Sequence, residues 1–94
     1  MAEEQKIVKP YIKPLAVTTA VSELVKENPK RCNLIVYNVG AATVYILSAQ
    51  NQKAADGIPV VAAASYSNDD VQGALWIVTA ASTADVRVEE DSCI

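Results

Sequence analysis

Two short acidic runs, Asp69-Asp70 and Glu89-Glu90-Asp91, and two cysteines, Cys32 and Cys93, are the side chains best placed by type to do chemistry. Clustered carboxylates could hold calcium, and Asp85 with Glu89, on one face of a strand, could form the acid pair of a glycosidase. Neither pattern is complete. Adjacent strand residues point to opposite faces, so Glu89 and Glu90 diverge, and no D-x-D-x-D-G loop surrounds either run. Solvated turn and tail charges are the reading these runs support. Histidine is absent, which removes the usual general base and the commonest metal ligand. The cysteines lack a C-x-x-C neighbour, so zinc has no ligand set. Gly40, Gly57 and Gly73 are isolated and make no phosphate cradle. The expectation is a protein that is not an enzyme, with no metal or cofactor.

The cysteines have two possible states. Met-Ala-Glu-Glu-Gln lacks the basic start and apolar segment of a signal peptide, and no apolar run is long enough to cross a membrane. That reads as a soluble protein made in the cytoplasm, where two free thiols are the ordinary expectation. The alternative, a bridge tying the tail to the strand around Cys32, would close a long loop and contribute roughly 4 kcal/mol.

Aromatic rings offer a binding chemistry instead. Tyr37, Tyr45, Tyr66 and Trp76 could stack on sugars or bases. Each falls within an expected strand, however, so packing in a core or a subunit interface is the stronger reading, above all for Trp76.

The elements that position these residues read as strands. R-C-N-L-I-V-Y-N lies between Asn28-Pro29 and Val39-Gly40, and T-V-Y-I-L-S follows across a short gap. This spacing predicts an antiparallel hairpin. Leu34 and Val36 oppose Ile35 and Tyr37, and Leu75 and Ile77 oppose Trp76 and Val78, so both faces of these strands are apolar. Only Asp85 to Glu90 alternates cleanly, with Val86 and Val88 inward and Arg87 and Glu89 outward. Leu15 to Val21 reads as a first strand, and Ser22 to Asn28 as a helical turn or a short strand. Pro59 sets the segment after Gly57 at a sheet edge, and Ser65 begins a short edge strand. Residues 1–14 look different: Pro10 and Pro14 keep this stretch extended, while Ile7, Val8, Tyr11 and Ile12 give it apolar side chains. The expected architecture is all-β, an antiparallel sandwich or jelly roll of six to eight short strands over residues 15–94, with residues 1–14 as an extended N-terminal arm.

Ninety-four residues, 51% of them hydrophobic but without phenylalanine, make a thin core of small and β-branched side chains. Such a domain gains from burying its second apolar face against copies of itself. The net charge of −3 argues against nucleic acid as a partner. Charge is also uneven along the chain: six of the eight basic residues lie at or before Arg31, and seven of the eleven acids lie from Asp56 onward. This polarity could orient neighbouring subunits or dock a basic arm on an acidic surface, against the ordinary reading of solvated charges with no partner.

From Asn28 to Glu90 the order N-P-K-R-C-N-L-I-V-Y-N-V-G, T-V-Y-I-L, D-G-I-P-V, L-W-I-V-T-A and A-D-V-R-V-E-E resembles small β-sandwich virion proteins of tailed bacteriophages. These include capsid decoration (cement) proteins and related head components. The resemblance rests on Arg31 entering a strand that ends at Asn38, the Gly57-Ile58-Pro59 turn and the closing V-R-V-E-E strand. It implies a homo-oligomer, a trimer by preference, that binds the major capsid protein on the virion surface and stabilises the shell, with no nucleic-acid or membrane partner. On that expectation Ile7, Val8, Lys9, Tyr11, Ile12 and Lys13 contact the capsid or an adjacent subunit, and Tyr45 and Trp76 serve the subunit interface. The alternatives are a carbohydrate- or receptor-binding module of the particle and a tail or head-junction component.

Overall fold

Proline at positions 10 and 14 does not stop the first strand. In the computed structural model, which describes residues 7–93 and side chains from Pro10 onward, β1 runs Ile7–Val17. It is followed by β2 (Ser22–Val25), β3 (Arg31–Asn38), β4 (Val44–Leu47), a single 3₁₀ turn (Ala54–Asp56), β5 (Ile58–Val60), β6 (Ser65–Asn68), β7 (Leu75–Thr79) and β8 (Ala84–Cys93). The eight strands form two antiparallel four-stranded sheets, ordered β1-β8-β3-β6 and β2-β7-β4-β5. This is the strand order of a jelly roll.

The first strand thus begins eight residues before Leu15 and ends at Val17 rather than Val21. Prolines are compatible because β1 is an edge strand: Pro10 and Pro14 lie opposite Asp91 and Arg87, at positions whose nitrogens face away from β8. Residues 22–25, helical turn or strand on the sequence, are strand.

The expected hairpin between β3 and β4 is absent, because the two strands belong to different sheets. The connection turns across the sandwich instead. Asn38, buried at its start, accepts a hydrogen bond from Gly40 N at 3.0 Å and donates to the carbonyls of Ala42 (2.8 Å) and Val60 (2.9 Å). A short gap holding a glycine suits either a hairpin or a crossing between sheets about 10 Å apart. The buried amide selects the crossing.

Between the sheets lie Val17, Leu34, Val36, Val86 and Val88 from one side and Leu24, Val44, Ile46, Val60, Leu75 and Ile77 from the other. Leu24 and Val25 both reach this core despite being consecutive. The ladder between β2 and β7 slips by one residue there, and such a bulge redirects a side chain.

The second apolar face of the β2-β7-β4-β5 sheet is covered in part. Leu47 and Val78 are buried but stand outside the inter-sheet core. Gly57 approaches this face closely: an added Cβ would lie 2.8 Å from the Ile46 carbonyl oxygen and 2.8 Å from Leu47 Cδ2. Gly57→Ala is therefore expected to destabilise the fold by about 1–3 kcal/mol in urea unfolding. Gly73→Ala, whose new methyl meets nothing within 4 Å, serves as the control and leaves the midpoint unmoved.

Candidate functional site

Sheet edges are the reactive surfaces of a β-sandwich, and here the four edges differ in their free backbone donors. On β1 the residues whose N–H groups face outward alternate as Pro10, Ile12, Pro14 and Ala16, so proline deletes two of the four donors. In β5 the pairing Ile46↔Ile58 and Val44↔Val60 leaves only Pro59 facing outward, and it has no N–H. Both edges are blunted.

On β6 the ladder to β3 uses the alternate residues, as shown by Asn38 N bonding Ala64 O at 3.0 Å, in register with Val36↔Tyr66 and Leu34↔Asn68. Ser65 and Ser67 therefore present their N–H and C=O groups to the outside. β2 contains no proline, although its bulge shortens the regular ladder. The two edges that keep their donors, β6 and β2, lie on different sheets and at opposite sides of the sandwich.

Beside β6 is a cleft of about 410 Å³ lined by Tyr37, Val39, Gly40 and Ala62–Ser65. Ala63 holds a left-handed backbone, φ 66°, at its wall. Val39, Ile58 and Val61 are each more than half exposed along this side, in or next to the connections that flank β5 and β6.

The opposite strand ends form a polar corner that the sequence reading missed. Arg31, counted there among the basic residues of the first half, is 2% exposed. Its Nε donates to Glu90 Oε2 at 2.8 Å, Nη1 donates to the carbonyls of Val71 (3.1 Å) and Gly73 (3.0 Å), and Nη2 to that of Lys26. Asn28 Nδ2 adds bonds to Glu90 and Ser92. One guanidinium thus ties β3, β8 and the loops before β3 and before β7.

Next to this corner, Cys32 and Cys93 form a disulfide, with Cα atoms 5.8 Å apart, which corrects the expectation of free thiols. Pairing of β3 with β8, shifted between Arg31 and Asn33, puts the two residues within bridging distance.

The expected contact residues separate by strand periodicity. Ile12 lies on the outer face of its sheet and is 62% exposed; Tyr11 and Lys13 lie on the alternate face, Tyr11 exposed and Lys13 half-buried in a cleft with Glu23, Val25, Lys26, Glu27, Asn28 and Glu90. The side chains of Ile7, Val8 and Lys9 lie outside the described residues. Tyr45 and Trp76 occupy the outer face of the other sheet, half-buried on the neighbouring strands β4 and β7, opposite Val78 and Leu47 respectively. Tyr66 packs against the core. Among the described residues no group of three or more His, Cys, Asp or Glu is arranged to hold a metal ion, and no helix is long and apolar enough to cross a membrane.

No protein-family model matches the chain, and neither does any curated protein. A solved structure does: a Bacillus endospore appendage protein from a family of disulfide-linked pili, at 14% identity, covering 98% of this chain and 92% of that one with a TM-score of 0.53. The likeness is one of fold. It corrects the resemblance to tailed-phage decoration proteins, and with it the virion location, the major capsid protein as partner, the trimer preferred on that basis, and the particle-borne alternatives of a sugar- or receptor-binding module or a tail component. The physical reason lies in the motifs used. Arg31 is a buried tie, Gly57 fills a place too tight for a side chain, and V-R-V-E-E is the alternation of a strand with one face in a core. All three serve the sandwich and none is specific to a capsid.

Proposed function

We propose that the protein is a non-enzymatic structural subunit that polymerises by strand addition, β6 of one copy pairing with β2 of the next, into an extracellular appendage. The observation that carries this reading is the asymmetry of the edges: two are blunted by proline, and the two that keep their donors are on opposite sides of the fold. A contact between different patches of identical subunits is heterologous and propagates unless it closes into a ring. Each such step extends one sheet of a subunit into the other sheet of its neighbour. The fold likeness to a pilus protein supports this reading, and the disulfide suits an oxidising setting.

Exposed Tyr11 and Ile12, with Ile7, Val8, Lys9 and Lys13 from the same strand, contact an adjacent copy in this arrangement. Tyr45 and Trp76 face a neighbouring subunit. Both cysteines are consumed within the chain, so the joints between subunits are non-covalent.

The test is electron microscopy of the purified protein beside Ser67→Pro. Ser67 N–H faces outward on β6, so proline there leaves the internal ladder intact while removing a donor from the open edge. Wild-type protein is expected to form filaments that run as monomers on a non-reducing denaturing gel, whereas Ser67→Pro stays a folded monomer in solution. Filaments of unchanged abundance from Ser67→Pro would refute strand addition at β6. A ladder that collapses on reduction would show the cysteines bridging subunits instead.

A further inference from the structure

Glu89 and Asp91 stand two residues apart on the outer face of β8, so their side chains project to the same side. Asp91 is an unusual residue for that face, since it is only 3% exposed. One of its oxygens, Oδ2, accepts a hydrogen bond from Asn33 Nδ2 at 3.3 Å. The other, Oδ1, is buried without a partner. A buried carboxylate oxygen left unsatisfied is costly, and such a group calls for a ligand.

The surroundings define that ligand. Across β1 the pair faces Pro10 and Ile12, and across β3 it faces Asn33 and Ile35, none of them ionisable. The charged groups of the same face are Arg87 and Asp85, farther along β8 and both exposed, and Asp69, which shares a surface cleft with Asn33, Ser67 and Asn68. No cation from a neighbouring strand approaches Asp91 among the described residues. The nearest ionisable side chain on the same face of β8 is Glu89, two residues away.

We infer that Glu89 and Asp91 form a proton-binding carboxyl dyad, in which a proton held on Glu89 is donated to the otherwise unsatisfied Oδ1 of Asp91. Two carboxyls on the same strand face, one of them buried, do not both ionise freely, and a single shared proton supplies the missing hydrogen bond. The titration of Glu89 agrees: a hydrogen bond with Asp91, then burial, then the charge of Asp91 push its carboxyl above the ordinary value of 4.5.

The direction of the effect follows by linkage. A carboxyl whose folded value is raised binds its proton more tightly in the folded state, so its contribution to stability is complete below the unfolded value near 4.5 and is lost as pH rises through the folded value. Glu89→Gln replaces the titrating donor with a permanent one, since the amide N–H₂ can donate to Oδ1 at every pH.

The experiment is thermal unfolding of the full chain from acid to neutral pH, for wild type, Glu89→Gln and Asp91→Asn. Wild type and Glu89→Gln are expected to have matching melting temperatures in acid, and wild type to fall progressively behind as the pH rises through the Glu89 titration. Carboxyl-carbon NMR gives a second readout, in which Glu89 titrates high in wild type and returns to the ordinary range in Asp91→Asn. Two melting curves that stay parallel at all pH values, or a Glu89 titration unmoved by Asp91→Asn, would overturn the dyad. A rise in the wild-type melting temperature on adding calcium or magnesium, absent in Glu89→Gln, would also overturn it by making the ligand a cation.

Discussion

Reduction of the Cys32–Cys93 bond, or its replacement by Cys32→Ala with Cys93→Ala, is expected to lower folding stability by about 4 kcal/mol, the loop-closure value for a cross-link over 61 residues. Domains of this size hold roughly 5–15 kcal/mol in total, so the loss is a large share. Its origin is the unfolded chain. Without the bond, the denatured ensemble recovers the freedom to separate residues that β3 and β8 hold side by side in the fold. Urea unfolding with and without reductant checks this through the midpoint, and the denaturant slope should rise on reduction because the open chain exposes more surface. Coincident transitions would mean that the bridge only decorates a corner already held by other contacts. The two routes to an open chain should agree, since the alanine pair removes the bond without adding thiols.

Replacing Arg31 ranks beside it. The guanidinium is buried with Glu90 and three main-chain carbonyls around it. Arg31→Met keeps the bulk of the side chain but strands the Glu90 carboxylate and leaves the carbonyls of Lys26, Val71 and Gly73 without their donor. Breaking one side of a buried pair in this way costs about 3–5 kcal/mol. Arg31→Lys should recover only part of that loss, since one ammonium cannot reproduce a planar fork that reaches three directions. A double-mutant cycle with Glu90→Gln separates the ion pair from the carbonyl bonds. If Arg31→Met alone unfolded at the wild-type midpoint, the corner would be holding nothing.

These two features show where sequence reading stops. The β-rich character, the two-faced strands at Leu34–Tyr37 and Leu75–Val78, and the edge position of Pro59 are local patterns, and local patterns are readable. Which strands pair is not local. Cys32 meets Cys93 only because β8 lies between β1 and β3, and nothing near either cysteine encodes that order. Arg31 looks the same on paper whether its charge is solvated or sealed against Glu90. The missed crossing at Gly40 has the same cause, since its length fits a hairpin equally well and the deciding contact, Asn38 to Val60, spans 22 residues. Prolines misled in the other direction: at 10 and 14 they suggested an arm outside the first strand, whereas they mark which side of β1 lacks a neighbour.

The edges of the sandwich were legible only after the pairing was known. Once β8 and β4 are placed, the alternation of N–H directions follows by counting, and Pro10, Pro14 and Pro59 all fall on outward positions. The dyad was half visible: Glu89 and Glu90 do diverge, as expected for neighbours in a strand, but the residue that converges with Glu89 is Asp91. Counting by two rather than by one would have found the pair, though not the burial of Asp91.

The position of the disulfide also sets how far a molecule can be drawn out. If the chain is drawn out by its two ends, peeling β1 from β8 lengthens it only up to Cys32. Beyond that point the bond short-circuits the next 61 residues, and roughly 200 Å of potential contour stays locked behind it. A reduced subunit would pay out that length; an oxidised one gives a short, limited extension and then bears load through a covalent bond.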